Sequence, residues 1–323
     1  MRGGVLTNFI WAIQMPGFFI VSGYFAYRRS TSVKELINSA WKSSYRYFIP
    51  FLSWLFIVST LILGKHNRNI ITALTFIIRN VDSGLWFLWV IYILSLFAGI
   101  ANYYINKEKV FTRFAGTTVT WLLLYAICAF LAIKEGYSFC GVKYILYYSI
   151  FYLIGYFIHA FEEIWITRIK ESGYQIVAFI CMFIYIGIIF NFDLYRCNDN
   201  LIGIVMRFTA GIAGNYILFF VIKKYQRYFE KAKLALIGQF TLEIYVVSAY
   251  VSHLMTADSI YSFFSVMGFL NFLFSLSLTI IFTTIIIAAF KAFAPLDFIF
   301  FGKMPNKMKP YTIIKEPDTE IKE

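Results

Sequence analysis

The feature that most restricts this chain is a repeated block: about 20 consecutive apolar residues, a short charged stretch, then another block. A helix rises about 1.5 Å per residue, so each block can cross the ~30 Å hydrocarbon core of a bilayer. In that medium a helix satisfies its backbone hydrogen bonds within one segment. The blocks therefore predict an all-α fold, a polytopic membrane helical bundle. Nine spans are expected, over about 5–27, 47–64, 85–105, 114–133, 143–161, 174–192, 200–222, 235–256 and 266–290. Only 14% of the 323 residues are charged, against about 25% in a soluble domain. An ordinary soluble globular domain is thereby excluded.

The first block holds residues that a plain lipid anchor does not need. Gln14 lies near mid-bilayer, Pro16 interrupts helical hydrogen bonding, and Ser22-Gly23 form a small-residue pair. Pro16 has no N–H, so the carbonyl it frees must find a donor on a neighbouring helix or polar side chain. A kinked helix packed through small residues accounts for the same residues. The block is too long for a signal peptide and lacks a basic n-region and a small-residue cleavage site, so it is expected to stay in the chain.

Between the spans, segment 30–46 (Lys34, Trp41, Lys42, Tyr45, Arg46) reads as amphipathic and interfacial. Segment 65–84 can hold a short re-entrant helix around Ile70–Ile78. Two regions follow: residues 1–293 as the transmembrane domain and 294–323 as a cytosolic, partly disordered tail with four of the six prolines.

The net charge of +12 comes from Lys and Arg in the loops. There they set topology and meet lipid head groups, so membrane lipids are the expected partners and nucleic acid is not. The loops after spans one, three, five and seven hold about 15 basic residues, against about six in the others. The first set is therefore expected in the cytosol, in the plasma (cytoplasmic) membrane. That puts the N-terminus outside, and a tenth helix ahead of Met1 would return both ends to the cytosol.

Cys128 and Cys181 fall within spans and read as small buried apolar residues. Cys140 and Cys197 fall in loops on one outer face, where they can pair or stay free. No CxxC, metal-ligand cluster, Gly-rich phosphate loop or nucleophile elbow is present, so no metal is expected.

Two ionisable residues lie within spans: Arg207, about 10 Å below the outer face, and Glu243, about 12 Å above the inner face. Either they pair across spans seven and eight, or Glu243 serves as a base and Arg207 faces a substrate. His159 and His253 sit near span ends, where packing is the default reading, and His66 is loop-borne.

Met15-Pro16-Gly17-Phe18-Phe19, followed by Ser22-Gly23-Tyr24, resembles the signature of the acyltransferase 3 family, integral membrane enzymes that move acyl groups onto sugars of surface polysaccharides. Further runs are similar to family elements: Arg46-Tyr47-Phe48-Ile49-Pro50-Phe51, Trp86-Phe87-Leu88, Ile154-Gly155-Tyr156, and Ile237-Gly238-Gln239-Phe240-Thr241-Leu242-Glu243-Ile244-Tyr245. Together they span nearly the whole chain. The family pattern has about ten helices, and its first, which carries a Gly-His, has no counterpart here. Gln14 and Ser248 stand where family histidines are common.

The resemblance implies an O-acyltransferase using acyl-CoA (acetyl-CoA) as donor and a sugar or polysaccharide hydroxyl as acceptor. Arg28, Arg29, Lys42 and Arg46 are then candidates for the CoA phosphates, with Arg46 the first choice because guanidinium binds phosphate bidentately. Gln14, Ser22, Arg46, Glu243 and Ser248 are the candidate catalytic residues, and Tyr24, Trp86, Arg207 and Tyr245 the candidate substrate-binding ones. The chemistry needs a polar tunnel from a cytosolic thioester to an outer acceptor, lined by Gln14, Ser22, Tyr24, Trp86, Tyr245 and Ser248. The absent histidines favour two rivals: a non-catalytic remnant, or a transporter or flippase-like protein for a sugar or acyl intermediate. Oligomeric state is not legible.

Overall fold

Every long apolar block with described residues folds as a helix, and no strand occurs among them. The computed structural model describes residues 5–28, 32–56, 75, 78–79, 81, 85–107, 109–162, 171–194, 201–231, 238–255 and 265–303. The helices fall into two compact units, Met1–Thr241 and Leu242–Glu323.

The first unit contains α1 (Val5–Ala26), α2 (Val33–Ser43), α3 (Ile49–Ser53), α4 (Trp86–Ile105), α5 (Val110–Glu135), α6 (Val142–Ala160), α7 (Glu171–Asn191), α8 (Leu201–Lys224) and α9 (Gln226–Lys231). The second contains α10 (Thr241–Met255), whose first residue belongs to the first unit, α11 (Val266–Lys291) and α12 (Ala294–Phe301). Seven described helices are long and apolar enough to cross a membrane: α1, α4, α5, α6, α7, α8 and α11. They match seven of the nine expected spans. Of the other two, the second begins in described helix up to Phe56 and then leaves the described residues, as does Ile70–Ile78 for the most part. The eighth is α10, described over 15 residues.

Helix α1 is the centre of the first unit and packs most closely on α6. Both helices place a glycine at the crossing. A methyl group at Gly23 would overlap the Tyr152 carbonyl, and one at Gly155 would overlap the Ile20 carbonyl. Without a hydrophobic drive between helices in lipid, such close backbone approach is what holds two spans together. On another side of α1, Ala12 packs with Tyr185, Ile188, Ile189, Leu194, Ala210 and Ala213 of α7, α8 and their connection.

Helix α2 starts at a capping box. The Glu35 N–H donates to Ser32 Oγ at 3.3 Å and the Ser32 N–H to Glu35 Oε2 at 3.4 Å. Val33, Ile37 and Trp41 form an exposed apolar stripe along it, as the interfacial reading expects. A π-helical turn, Ser44–Phe48, follows. Pro50, in the first turn of α3, cannot donate to the Arg46 carbonyl four residues back, and the backbone ahead of it is widened.

The tail expected from Ala294 opens instead as helix α12, with Phe300 and Phe301 buried. Aromatic burial outweighs the proline, which sits harmlessly in the first helical turn.

Candidate functional site

Where α1 ends, the chain leaves helical geometry at Tyr27 and Arg28. A cleft of about 200 Å³ lies there, lined by Arg28, Glu35, Asn38, Ser39, Lys42, Gly99 and Asn102. On α2, Glu35, Asn38, Ser39 and Lys42 repeat at helical spacing, so its polar stripe faces the cleft while its apolar stripe is exposed. Two of the cations expected to meet CoA phosphates, Arg28 and Lys42, are thus brought together. Arg46 is exposed on the π-helical turn, its guanidinium 5.5 Å from the Tyr47 ring centre, and is not part of this lining. Arg29 lies outside the described residues.

The floor of the cleft rests on Asn102 of α4, which is 2% exposed. Its Nδ2 donates to the Ala26 carbonyl at 2.8 Å. Its Oδ1 accepts from the Arg28 N–H at 3.2 Å and from the Tyr156 hydroxyl at 3.0 Å. One turn on, Asn106 donates to the Arg28 carbonyl at 2.9 Å and to the Asn102 carbonyl at 2.7 Å. These residues escape a sequence reading because a lone Asn in an apolar span carries no periodic signal; only its placement opposite a helix end gives it a task.

On the opposite side of the same helix end, the Tyr24 hydroxyl donates to Glu162 at 3.0 Å. His159 stacks on Tyr24 with ring centres 4.3 Å apart, and Tyr27 meets it edge-on at 5.1 Å. Since a carbonyl only accepts, the 2.6 Å contact to the Tyr24 carbonyl places a proton on His159 Nδ1. This agrees with the packing role expected of His159. The side chain of His253, like all of His66, lies outside the described residues.

Farther along α1, toward Pro16, polar side chains reach backbone carbonyls of neighbouring segments. Asn215 of α8, fully buried, donates to the Ile13 carbonyl at 3.1 Å and to the Gly211 carbonyl at 2.8 Å. Asn8 likewise donates to the Phe192 carbonyl at 2.9 Å, and the Tyr185 hydroxyl to the Phe9 carbonyl at 2.9 Å. A small recess there is lined by Trp11, Ala12, Pro16, Tyr147, Tyr148, Leu194 and Arg207. Arg207 lies over the Tyr147 ring at 5.4 Å. Trp86 stacks on Tyr144 at 4.4 Å and on Tyr148 at 5.2 Å.

The first unit does not place Gln14, Ser22 and Tyr24 on one wall. At about 100° per residue, Ser22 and Tyr24 point roughly 160° apart. Gln14 is exposed, and Trp86 is engaged with the tyrosines of α6. Between the levels of cleft and recess, the Gly23–Gly155 crossing and the fully buried Phe19, Phe151 and Tyr152 fill the space between α1 and α6. Any passage for an acyl group therefore runs outside that contact.

In the second unit, Glu243 is buried in the first turn of α10. Its carboxylate pairs with Lys303 and, at 3.4 Å, with Lys291. Glu243 thus takes its cations from its own unit. To act as a base it would first have to give up these pairs, which makes a structural part the simpler description. Ser248 bonds back to the Tyr245 carbonyl at 3.3 Å on the same helix. Asp297 of α12 stands near the cluster, and burial pushes its carboxyl above the usual carboxylate range despite Lys291 and Lys303.

Among the described residues no group of His, Cys, Asp and Glu could hold a metal ion. Cys140 carries a free thiol; Cys197 is outside the described residues.

A family model described as an acyltransferase domain matches residues 4–288. No curated protein and no solved structure matches the chain. The matched stretch takes in both packing glycines, the cleft and the buried Glu243, and covers well over half of the sequence. This integral membrane chain belongs to the acyltransferase 3 family.

Proposed function

We propose that the chain is a membrane O-acyltransferase that moves an acyl group, acetyl in the simplest case, from acyl-CoA to a sugar hydroxyl of a cell-surface or exported polysaccharide. The observation that carries this reading is the cleft that joins Arg28 and Lys42 beside α1 in a chain of this family. By the positive-inside rule this end of α1 faces the cytosol of a plasma membrane, where acyl-CoA is found. Guanidinium and ammonium groups suit the CoA phosphates, and Asn38 and Ser39 offer amide and hydroxyl partners for its polar arm. Direct attack by the sugar hydroxyl, with base assistance, needs no acyl-enzyme intermediate.

Membranes containing the chain are incubated with labelled acetyl-CoA and a polysaccharide acceptor. The Lys42→Ala variant is expected to raise the donor KM about tenfold, the loss of one charge-assisted contact. Arg46→Ala, outside the cleft lining, is expected to change the donor KM less than Lys42→Ala. An absence of both CoA binding and transfer overturns the reading. Binding without transfer supports the remnant instead.

A further inference from the structure

We infer that Asn102 and Asn106 are positioning residues that hold Arg28 in the donor cleft, an inference that rests on the donor-cleft reading for the identity of the ligand. The last α1 carbonyl is Ala26, and the next two residues leave the helix. A helix that ends this way leaves carbonyls without intrahelical donors. No glycine in left-handed geometry closes it, and α4 does the work from outside. Asn102 takes the Ala26 carbonyl at 2.8 Å and the Arg28 N–H at 3.2 Å with the two ends of one amide. Asn106 takes the Arg28 carbonyl at 2.9 Å.

Arg28 is thus held at both its N–H and its carbonyl, each by a different asparagine of one rigid helix. The asparagines are themselves fixed. Tyr156 donates to Asn102 Oδ1 at 3.0 Å, and Asn106 ties itself to the Asn102 carbonyl at 2.7 Å. The consequence is preorganisation. Arg28 itself is exposed, and an arginine on a loose linker would give up side-chain and backbone freedom on binding an anion, whereas a clamped one has already given up the backbone part. Asn102 and Asn106 would then act on ligand affinity through Arg28, without touching the ligand's phosphates.

The test is a double-mutant cycle on full-length protein in nanodiscs, with two readouts. The first is the Kd for CoA by calorimetry in wild type, Asn102→Ala, Arg28→Ala and the double variant. The second, independent of any ligand, is the reactivity of Arg28 toward phenylglyoxal, mapped by mass spectrometry. Asn106→Ala, at a half-exposed position that does not line the cleft, repeats the cycle where Asn102→Ala fails to fold.

The expected results are a roughly tenfold weaker Kd for the asparagine variant, almost no further loss when it is added to Arg28→Ala, and a several-fold change in Arg28 reactivity. Losses that multiply independently, with Arg28 reactivity unchanged, overturn the inference and leave acyl transfer standing. A wild type that binds no CoA while Arg28 reactivity still answers to Asn102 overturns the donor-cleft reading and leaves the clamp.

Discussion

Gly155 has no side chain, and α1 needs it that way. The Ile20 carbonyl occupies the place where a methyl would stand, and the Tyr24 N–H group lies beside it. Both neighbours are backbone, so neither can swing aside. Gly155→Ala is therefore expected to cost about 1–3 kcal/mol or more, the usual range for overpacking, read as a lower melting temperature in detergent. A variant with unchanged melting would show that α1 and α6 do not meet at that residue. Asn215 works on a different principle. It is polar, completely buried, and serves the α1 carbonyl at Ile13, beside the site where Pro16 breaks the ladder. Pro16 frees the Ala12 carbonyl, four residues back, and Asn215 reaches the neighbouring Ile13 carbonyl; that partner was not legible in the sequence, because residues about 200 positions apart are brought together only by helix packing.

At the scale of the element, α12 shows how a short helix is fixed at both ends. Pro295 sits in its first turn, and Gly302, at φ 66°, closes the other. There the Gly302 N–H reaches the Phe298 carbonyl at 2.8 Å and the Lys303 N–H the Asp297 carbonyl at 3.5 Å, the pattern that reverses the chain after a helix. That reversal sends Lys303 back onto Glu243. Burial raises the Asp297 carboxyl, so folding favours its protonated form. Stability from this group is present at pH below the ordinary carboxylate value of 3.8 and is lost as pH rises through the raised value. Asp297→Asn removes that loss. The variant is expected to show slower hydrogen exchange than wild type in α12 at neutral pH, with the gap closing in acid. An α12 that exchanges faster in the variant at neutral pH would mean that the pull of Lys291 and Lys303 outweighs burial.

For the whole molecule, the loop charges argue that α1, α4, α6 and α8 end in the cytosol. Cys140, which precedes α6 and bears a free thiol, is then on the outer face. A membrane-impermeant maleimide is expected to label it in intact cells, and labelling only after lysis would invert the topology. The all-helical membrane class, the position of most spans and the family resemblance can all be read from the residues in order. Apolar run length, loop charge and a local motif are properties of consecutive residues, and the bilayer reads them directly. The tertiary structure alone decided which polar residues meet. It set Arg28 against Asn102 and Asn106 and gave Glu243 to two lysines. The physical reason is that a buried hydrogen bond or ion pair is chosen by which helix faces come into contact, and in an apolar sequence many pairings satisfy the same composition.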